Sequence, residues 1–179
     1  VAATHTDSFG ILDSDDRLRP EALAATLPVL QADPDIALVY TNCDLIDERG
    51  RVTGPGPGNA LTYSPEALLV SQMVFHFRLF RREIFDEVGG FDPAFESAED
   101  YDLVIRLSEA GEIVHVPRTL YDYRVHAASL SAEGDLAQIR WSQRAVENAL
   151  VRRGVADRLQ LNVRLHATFT LAEREPAKG

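Results

Sequence analysis

An apolar run, Phe9-Gly10-Ile11-Leu12, empties into Asp13-Ser14-Asp15-Asp16, and Pro20 follows where a helix begins. A short apolar run bounded in this way reads as a buried strand. Three carboxylates at the mouth of such a strand repel one another, so the fold must give them solvent or a cation. Carboxylate oxygens are hard ligands, suited to Mg²⁺ or Mn²⁺ bound jointly with substrate phosphates. The plainer alternative is an acidic turn that complements the dipole of the next helix. Two groups downstream, Glu99-Asp100-Tyr101-Asp102 and Tyr123-Arg124-Val125-His126, favour the first reading.

The remaining periodicities alternate between helix and strand. Residues 20–32 repeat Leu23, Leu27 and Leu30 on one helical face and stop at Asp33-Pro34. Residues 36–41 are almost continuously apolar and predict a second buried strand. A turn at 47–50 leads to a Gly/Pro-rich loop at 54–58, and Ser64-Pro65-Glu66 has the form of a helix start with Ser64 as N-cap. Residues 74–80 suit a strand or a segment lining a site. A short helix at 83–88 is stopped by Gly89-Gly90, and Ser97 caps a helix that runs to about 110 and ends at Gly111. Pro117 separates two strands, 113–116 and 120–125, and a long helix over 136–153 ends at Gly154. Leu159, Leu161, Val163, Leu165, Ala167, Phe169 and Leu171 then alternate with polar residues, which predicts a half-buried strand or two strands with a hidden turn. The order predicts an α/β domain with a mixed sheet.

Composition narrows the function. A chain of 179 residues with 45% hydrophobic content suffices for one domain core. A net charge of −10 argues against nucleic acid or an anionic membrane surface as the main partner. No apolar run approaches the ~20 residues of a transmembrane helix, and the start has no signal-peptide pattern. Cys43 is the only cysteine, so neither an internal disulfide nor a cysteine-based zinc site is available. These features describe a soluble protein of a reducing compartment, the cytoplasm.

Asp100 falls in register with Leu103, Val104 and Leu107, on the inward face of its helix. There it is either the capping partner of Ser97 or a base kept ionised by the helix dipole. His126 follows a strand with aromatic flanks and makes chemical sense as a third, nitrogen ligand beside Asp15 and Asp16 in a Mn²⁺ site. Arg81, Arg82 and Arg124 are candidates to hold a diphosphate, with a solvated face as the alternative for Arg81-Arg82. His76 sits in an apolar stretch able to line a pocket; His5, His115 and His166 have no partner in sequence.

The order of these pieces resembles the inverting glycosyltransferases of family 2, which have the GT-A fold. The resemblance rests on Ile11-Leu12-Asp13-Ser14-Asp15-Asp16, on Phe80-Arg81-Arg82-Glu83 with Val88-Gly89-Gly90-Phe91-Asp92 and Glu99-Asp100-Tyr101-Asp102-Leu103, and on Tyr123-Arg124-Val125-His126 with Ser129 and Ser131. It implies that Asp13 contacts substrate, with Arg82 and Arg124, and that Asp15, Asp16 and His126 hold Mn²⁺ or Mg²⁺. It implies Asp100 as the catalytic base with Glu99 beside it. It also implies a nucleotide-sugar donor, a glycan, lipid-linked or small-molecule acceptor, and a role in polysaccharide or glycoconjugate synthesis.

Such domains begin with a nucleotide-binding half, and the aspartate motif follows roughly three strand–helix units of about 30 residues each. Here it starts at residue 13. The resemblance therefore implies the C-terminal part of a GT-A mixed sheet over residues 1–131, with a helix-and-strand connector over 132–179. It further implies a peripheral place at the inner membrane face for the longer protein, and a piece that is inactive alone and self-associates or is marginally stable. Two rival readings are a phosphatase of the haloacid dehalogenase class and a non-catalytic metal- or carbohydrate-binding scaffold. The phosphatase needs Thr or Val four residues after its first aspartate, where this chain has Arg17.

Overall fold

The computed structural model describes residues 5–125 and 132–164. Ten strands and helices are seen there: β1 (Ser8–Gly10), β2 (Arg17–Leu18), α1 (Ala22–Ala32), β3 (Ile36–Ile46), β4 (Val52–Pro55), β5 (Arg78–Arg81), α2 (Arg82–Glu87), α3 (Glu99–Ala110), β6 (Glu112–Arg124) and α4 (Ala132–Arg152), with one 3₁₀ turn at Ala67–Leu69. The first six residues of β3 are buried without a break, so both of its faces need cover. One face meets α1, where Ala22 and Leu30 join Ile36, Val39 and Leu79. The other face meets α2, α3 and α4, where Leu38 and Phe80 join Leu103, Leu107, Ala145 and Ala149.

The sheet is mixed, in the order β1-β5-β3-β6-β2. β3 and β6 are parallel along their whole length. The opposite edge of β3 pairs antiparallel with β5 through Leu38–Tyr40 and then with β4 through Asp44–Ile46. The parallel strands β3 and β6 therefore share one carboxyl end, at Cys43–Ile46 and Tyr121–Arg124, and open α/β sheets bind ligands at that end. Arg81 ties the layers together. Its guanidinium donates to the carbonyls of Leu30, Asp33 and Ile36, so it closes the end of α1 rather than facing solvent.

Several expectations need correction. The first strand is not buried: it ends at Gly10, lies at a sheet edge, and leaves Leu12 half exposed. A short strand, β2, precedes α1, whose buried positions are Ala22, Thr26 and Leu30, while Leu23 faces outward. Residues 52–55 form a hairpin strand instead of loop, closed by the turn in which Asp47 accepts from the Arg49 and Arg51 amides. Ser64 does accept the Ala67 amide at 3.0 Å, yet only a 3₁₀ turn follows. The predicted pair of strands around Pro117 is a single strand, β6. The register jumps from Thr41–Val116 to Asn42–Thr119, so Pro117 sits in a bulge, where its missing N–H costs no ladder bond. Residues 159–164 form no strand. Alternation alone cannot make one without a neighbouring edge to pair with, and Leu159 and Val163 remain exposed. The rest of that alternation lies outside the described residues.

Candidate active site

The Asp13–Asp16 loop is held on the carboxyl end of β6. The buried Tyr121 hydroxyl donates to Asp16 Oδ2 at 2.7 Å and accepts the Asp13 amide at 3.3 Å. The Arg124 amide donates to Asp16 Oδ1 at 2.7 Å, and its Nε donates to the Asp15 carbonyl at 2.6 Å. Behind the loop, Arg19 donates to Asp122 Oδ1 at 2.7 Å and to Asp44 Oδ2 at 2.7 Å, joining β2, β6 and β3. Asp16 is thus the anchor of the loop, and Asp13 and Asp15 are its exposed carboxylates.

The other wall comes from the 73–77 segment, β5 and α3. Arg78, nearly buried, donates from Nη1 to Asp100 Oδ2 at 3.0 Å, and its Nη2 lies 3.4 Å from His76 Nε2. His76 Nε2 is in turn 3.7 Å from Asp13 Oδ2, so one chain of contacts runs from the acidic loop to Asp100. The imidazole stacks on Tyr121 at 5.0 Å and lies parallel to Tyr123 at 6.1 Å. Asp100, His76, Tyr123, Phe75, Cys43 and Gln138 line a cavity of about 410 Å³.

Charge is unbalanced here. Burial, then the neighbouring Asp16, raise the Asp13 carboxyl above its usual range; Arg78 opposes this, and Asp15 and Asp100 add to it. Burial, then the Arg78 charge, push His76 down to about 4, so its ring is neutral at physiological pH. Burial and the bond to Asp16 raise the Tyr121 phenol, which stays a donor. Burial drives the Cys43 thiol up to about 11, which leaves it an unreactive wall.

Of the predicted site residues, the structure gathers Asp13, Asp15, Asp16, Arg124 and Asp100. Arg124 is a brace for the loop, with its Nη1 on the Asp47 carbonyl at 2.7 Å. Glu99 is exposed in the first turn of α3, and His126 lies outside the described residues. Arg82 is held away from the cavity: its guanidinium lies 4.5 Å from the Phe9 ring centroid, and its Nε donates to the Thr6 carbonyl. The arginine that faces Asp100 is Arg78, which sequence reasoning passed over. Asp100 is not part of a capping box with Ser97, because Ala98 is the N-cap and no side chain caps it. The Tyr121 contacts and the Gln138 wall were likewise unseen. The only hint in sequence was the polar character of Arg78 and His76 within an apolar run.

Among the described residues, no three His, Cys, Asp or Glu side chains gather closely enough to hold a metal alone. The carboxylates of Asp13 and Asp15 are exposed and supply hard oxygens. They fit a Mg²⁺ or Mn²⁺ ion that takes its other ligands from substrate phosphates and water. No helix among the described residues is long and apolar enough to cross a membrane.

Comparison with known proteins places these residues in context. The family model described as glycosyltransferase like family 2 matches residues 1–141. The chain is 36% identical over 159 residues to the O-antigen biosynthesis protein RfbC of Myxococcus xanthus, covering 86% of this chain and 12% of that protein. It is 32% identical over 147 residues to a chondroitin synthase of Escherichia coli, covering 82% of this chain and 21% of that protein. A hyaluronan synthase of Pasteurella multocida is 31% identical over 147 residues, with 82% of this chain and 15% of that protein covered. The chain thus spans less than a quarter of the length of each of these relatives.

Proposed function

The chain belongs to the glycosyltransferase family 2-like proteins, and from that membership we propose that it carries the catalytic base and the diphosphate end of a sugar-transfer site. The reaction is transfer of a sugar from a nucleoside-diphosphate donor to a hydroxyl acceptor, with inversion, in polysaccharide or glycoconjugate synthesis. The observation that carries it is the Asp100 carboxylate on the wall of a cavity, linked through Arg78 and His76 to the acidic loop.

The acceptor oxygen bonds to the anomeric carbon as the bond from that carbon to the diphosphate oxygen breaks. Asp100 takes the acceptor's proton, and the nucleoside diphosphate leaves with the bonding electrons. Arg78 orients the Asp100 carboxylate for this transfer. Asp16 fixes the loop so that Asp13 and Asp15 face the diphosphate, where they would hold Mg²⁺ or Mn²⁺. Such an ion supplies charge neutralisation for the leaving group. A cytoplasmic location, peripheral at the inner membrane face in the full-length protein, belongs to the same reading.

The test is Asp100→Asn in the full-length protein, assayed with a panel of nucleotide sugars. Turnover should fall by roughly 10²–10⁴-fold, the usual worth of a positioned general base, while donor affinity stays the same. The anomeric configuration of the product, read by NMR, should be opposite to the donor's. A variant that turns over normally and only melts at a lower temperature would assign Asp100 to helix stability instead.

A further inference from the structure

The cavity at Asp100 does not end at its own walls. A second one, of about 590 Å³, shares Gln72, Tyr101, Gln138 and Ser142 with it and extends between the 69–72 turn, α4 and the 161–163 segment. Each volume alone lies within the ~300–1,000 Å³ of sites for drug-sized ligands, so the two together exceed the needs of one sugar ring.

The lining has a distinct chemistry. Gln72, Gln138, Gln143 and Asn162 bring amides, and Ser71 and Ser142 bring hydroxyls, spaced along walls that are otherwise apolar. Amides and hydroxyls both donate and accept, which matches the alternating hydroxyls of a sugar, and the apolar stretches match its C–H faces. Gln72 Oε1 is buried at the junction of the two cavities and accepts no hydrogen bond from any described residue. A buried acceptor of this kind is costly unless a donor reaches it, and a sugar hydroxyl is such a donor. Among the described lining residues of both cavities Asp100 is the only charged one. An acidic glycan would find no cation among the described lining residues, the nearby Arg78 being already paired with Asp100, and would meet a chain of net charge −10. An acyl chain would find its apolar wall interrupted by amides.

We infer that the two cavities form one acceptor groove and that its occupant is an uncharged oligosaccharide, with the reacting hydroxyl at Asp100 and the preceding rings under α4. This rests on the transferase reading above. It also sets this chain apart from relatives whose names refer to chondroitin and hyaluronan.

The experiment titrates the chain calorimetrically with uncharged tetrasaccharides of several backbone types, and with hyaluronan and chondroitin tetrasaccharides. At least one uncharged tetrasaccharide should bind roughly tenfold or more tighter than either acidic one. Its affinity should move less than about twofold between roughly 50 and 500 mM salt, since no ion pair is involved. Gln143→Ala and Asn162→Ala alter side chains outside the core and should each weaken binding by roughly 3–10-fold, the worth of a lost hydrogen bond. Tighter binding of an acidic tetrasaccharide, binding untouched by both substitutions, or no uncharged tetrasaccharide bound at all would overturn the groove. Release of nucleoside diphosphate by the full-length protein is followed separately. No release with tetrasaccharide binding intact sinks the transferase reading and leaves the groove standing; release without tetrasaccharide binding does the reverse.

Discussion

Tyr121 joins the two walls of the site, because its hydroxyl holds the acidic loop while its ring stacks under His76. Tyr121→Phe keeps the ring and its packing but strips Asp16 of a donor and leaves the Asp13 amide without its acceptor. We expect a stability loss of about 1–3 kcal/mol in urea unfolding, the cost of partly buried groups left unpaired. In the full-length protein the donor KM should rise more than kcat falls, since the loop positions rather than reacts. Unchanged stability and KM would mean that the Arg124 amide suffices. His76 governs a pH effect. Its folded-state value, about 4, lies below the ordinary 6.5, so between these values the unfolded chain binds more protons than the folded one. Stability therefore rises with pH across that window and is lost as pH falls from about 6.5 toward 4. His76→Gln should flatten this acid slope in a series of melts between pH 4 and 7. An identical slope in the variant would assign acid lability to the carboxylate pairs instead.

At the scale of the element, the shape of the cavity depends on how the Gly/Pro-rich loop is clamped to β3. Asn59 mimics a strand neighbour: its Oδ1 accepts the Cys43 amide at 3.0 Å and its Nδ2 donates to the Cys43 carbonyl at 2.7 Å. Gly56 donates to the same carbonyl at 2.8 Å, and a Cβ there would strike the Cys43 thiol. Asn59→Ala should cost about 2 kcal/mol through two lost bonds, one of them to a buried amide. Hydrogen exchange at the Cys43 amide should accelerate with it, and unchanged exchange there would contradict the clamp. That clamp illustrates what sequence could and could not reveal. β3, α3 and α4 were legible because burial imprints a period on long segments, and Gly89-Gly90 and Gly154 marked the ends of α2 and α4 with positive φ. The N-terminus of α3 was misread because the chain enters it through Ala98 at φ 57, a left-handed turn that Ser97 did not announce. The single β6 was misread because a bulge absorbs Pro117, and bulges leave no pattern. The acidic loop and Asp100 could be found from residue order, but Arg78, Tyr121 and Gln138 act through contacts far apart in sequence.

For the whole molecule, the issue is which strand edges the described chain covers. β3 has neighbours on both sides. β1 pairs only with β5 and β2 only with β6 among the described residues, leaving two short edges. Phe9 on β1 stacks on Phe80 and meets Phe85 edge-on, which keeps that apolar side occupied. In the proposed reading the acidic loop and Asp100 serve only the diphosphate and acceptor ends of a transfer site. We therefore predict that the isolated 179-residue chain binds nucleotide sugars weakly, with Kd values of about 1 mM or above even with Mn²⁺. It should also associate through the β1 edge once salt screens its net charge of −10. Calorimetric titration with a panel of nucleotide sugars, alongside light scattering at low and high salt, checks both halves. A salt-independent monomer that binds one nucleotide sugar at low micromolar Kd would show that these residues alone make a complete donor site.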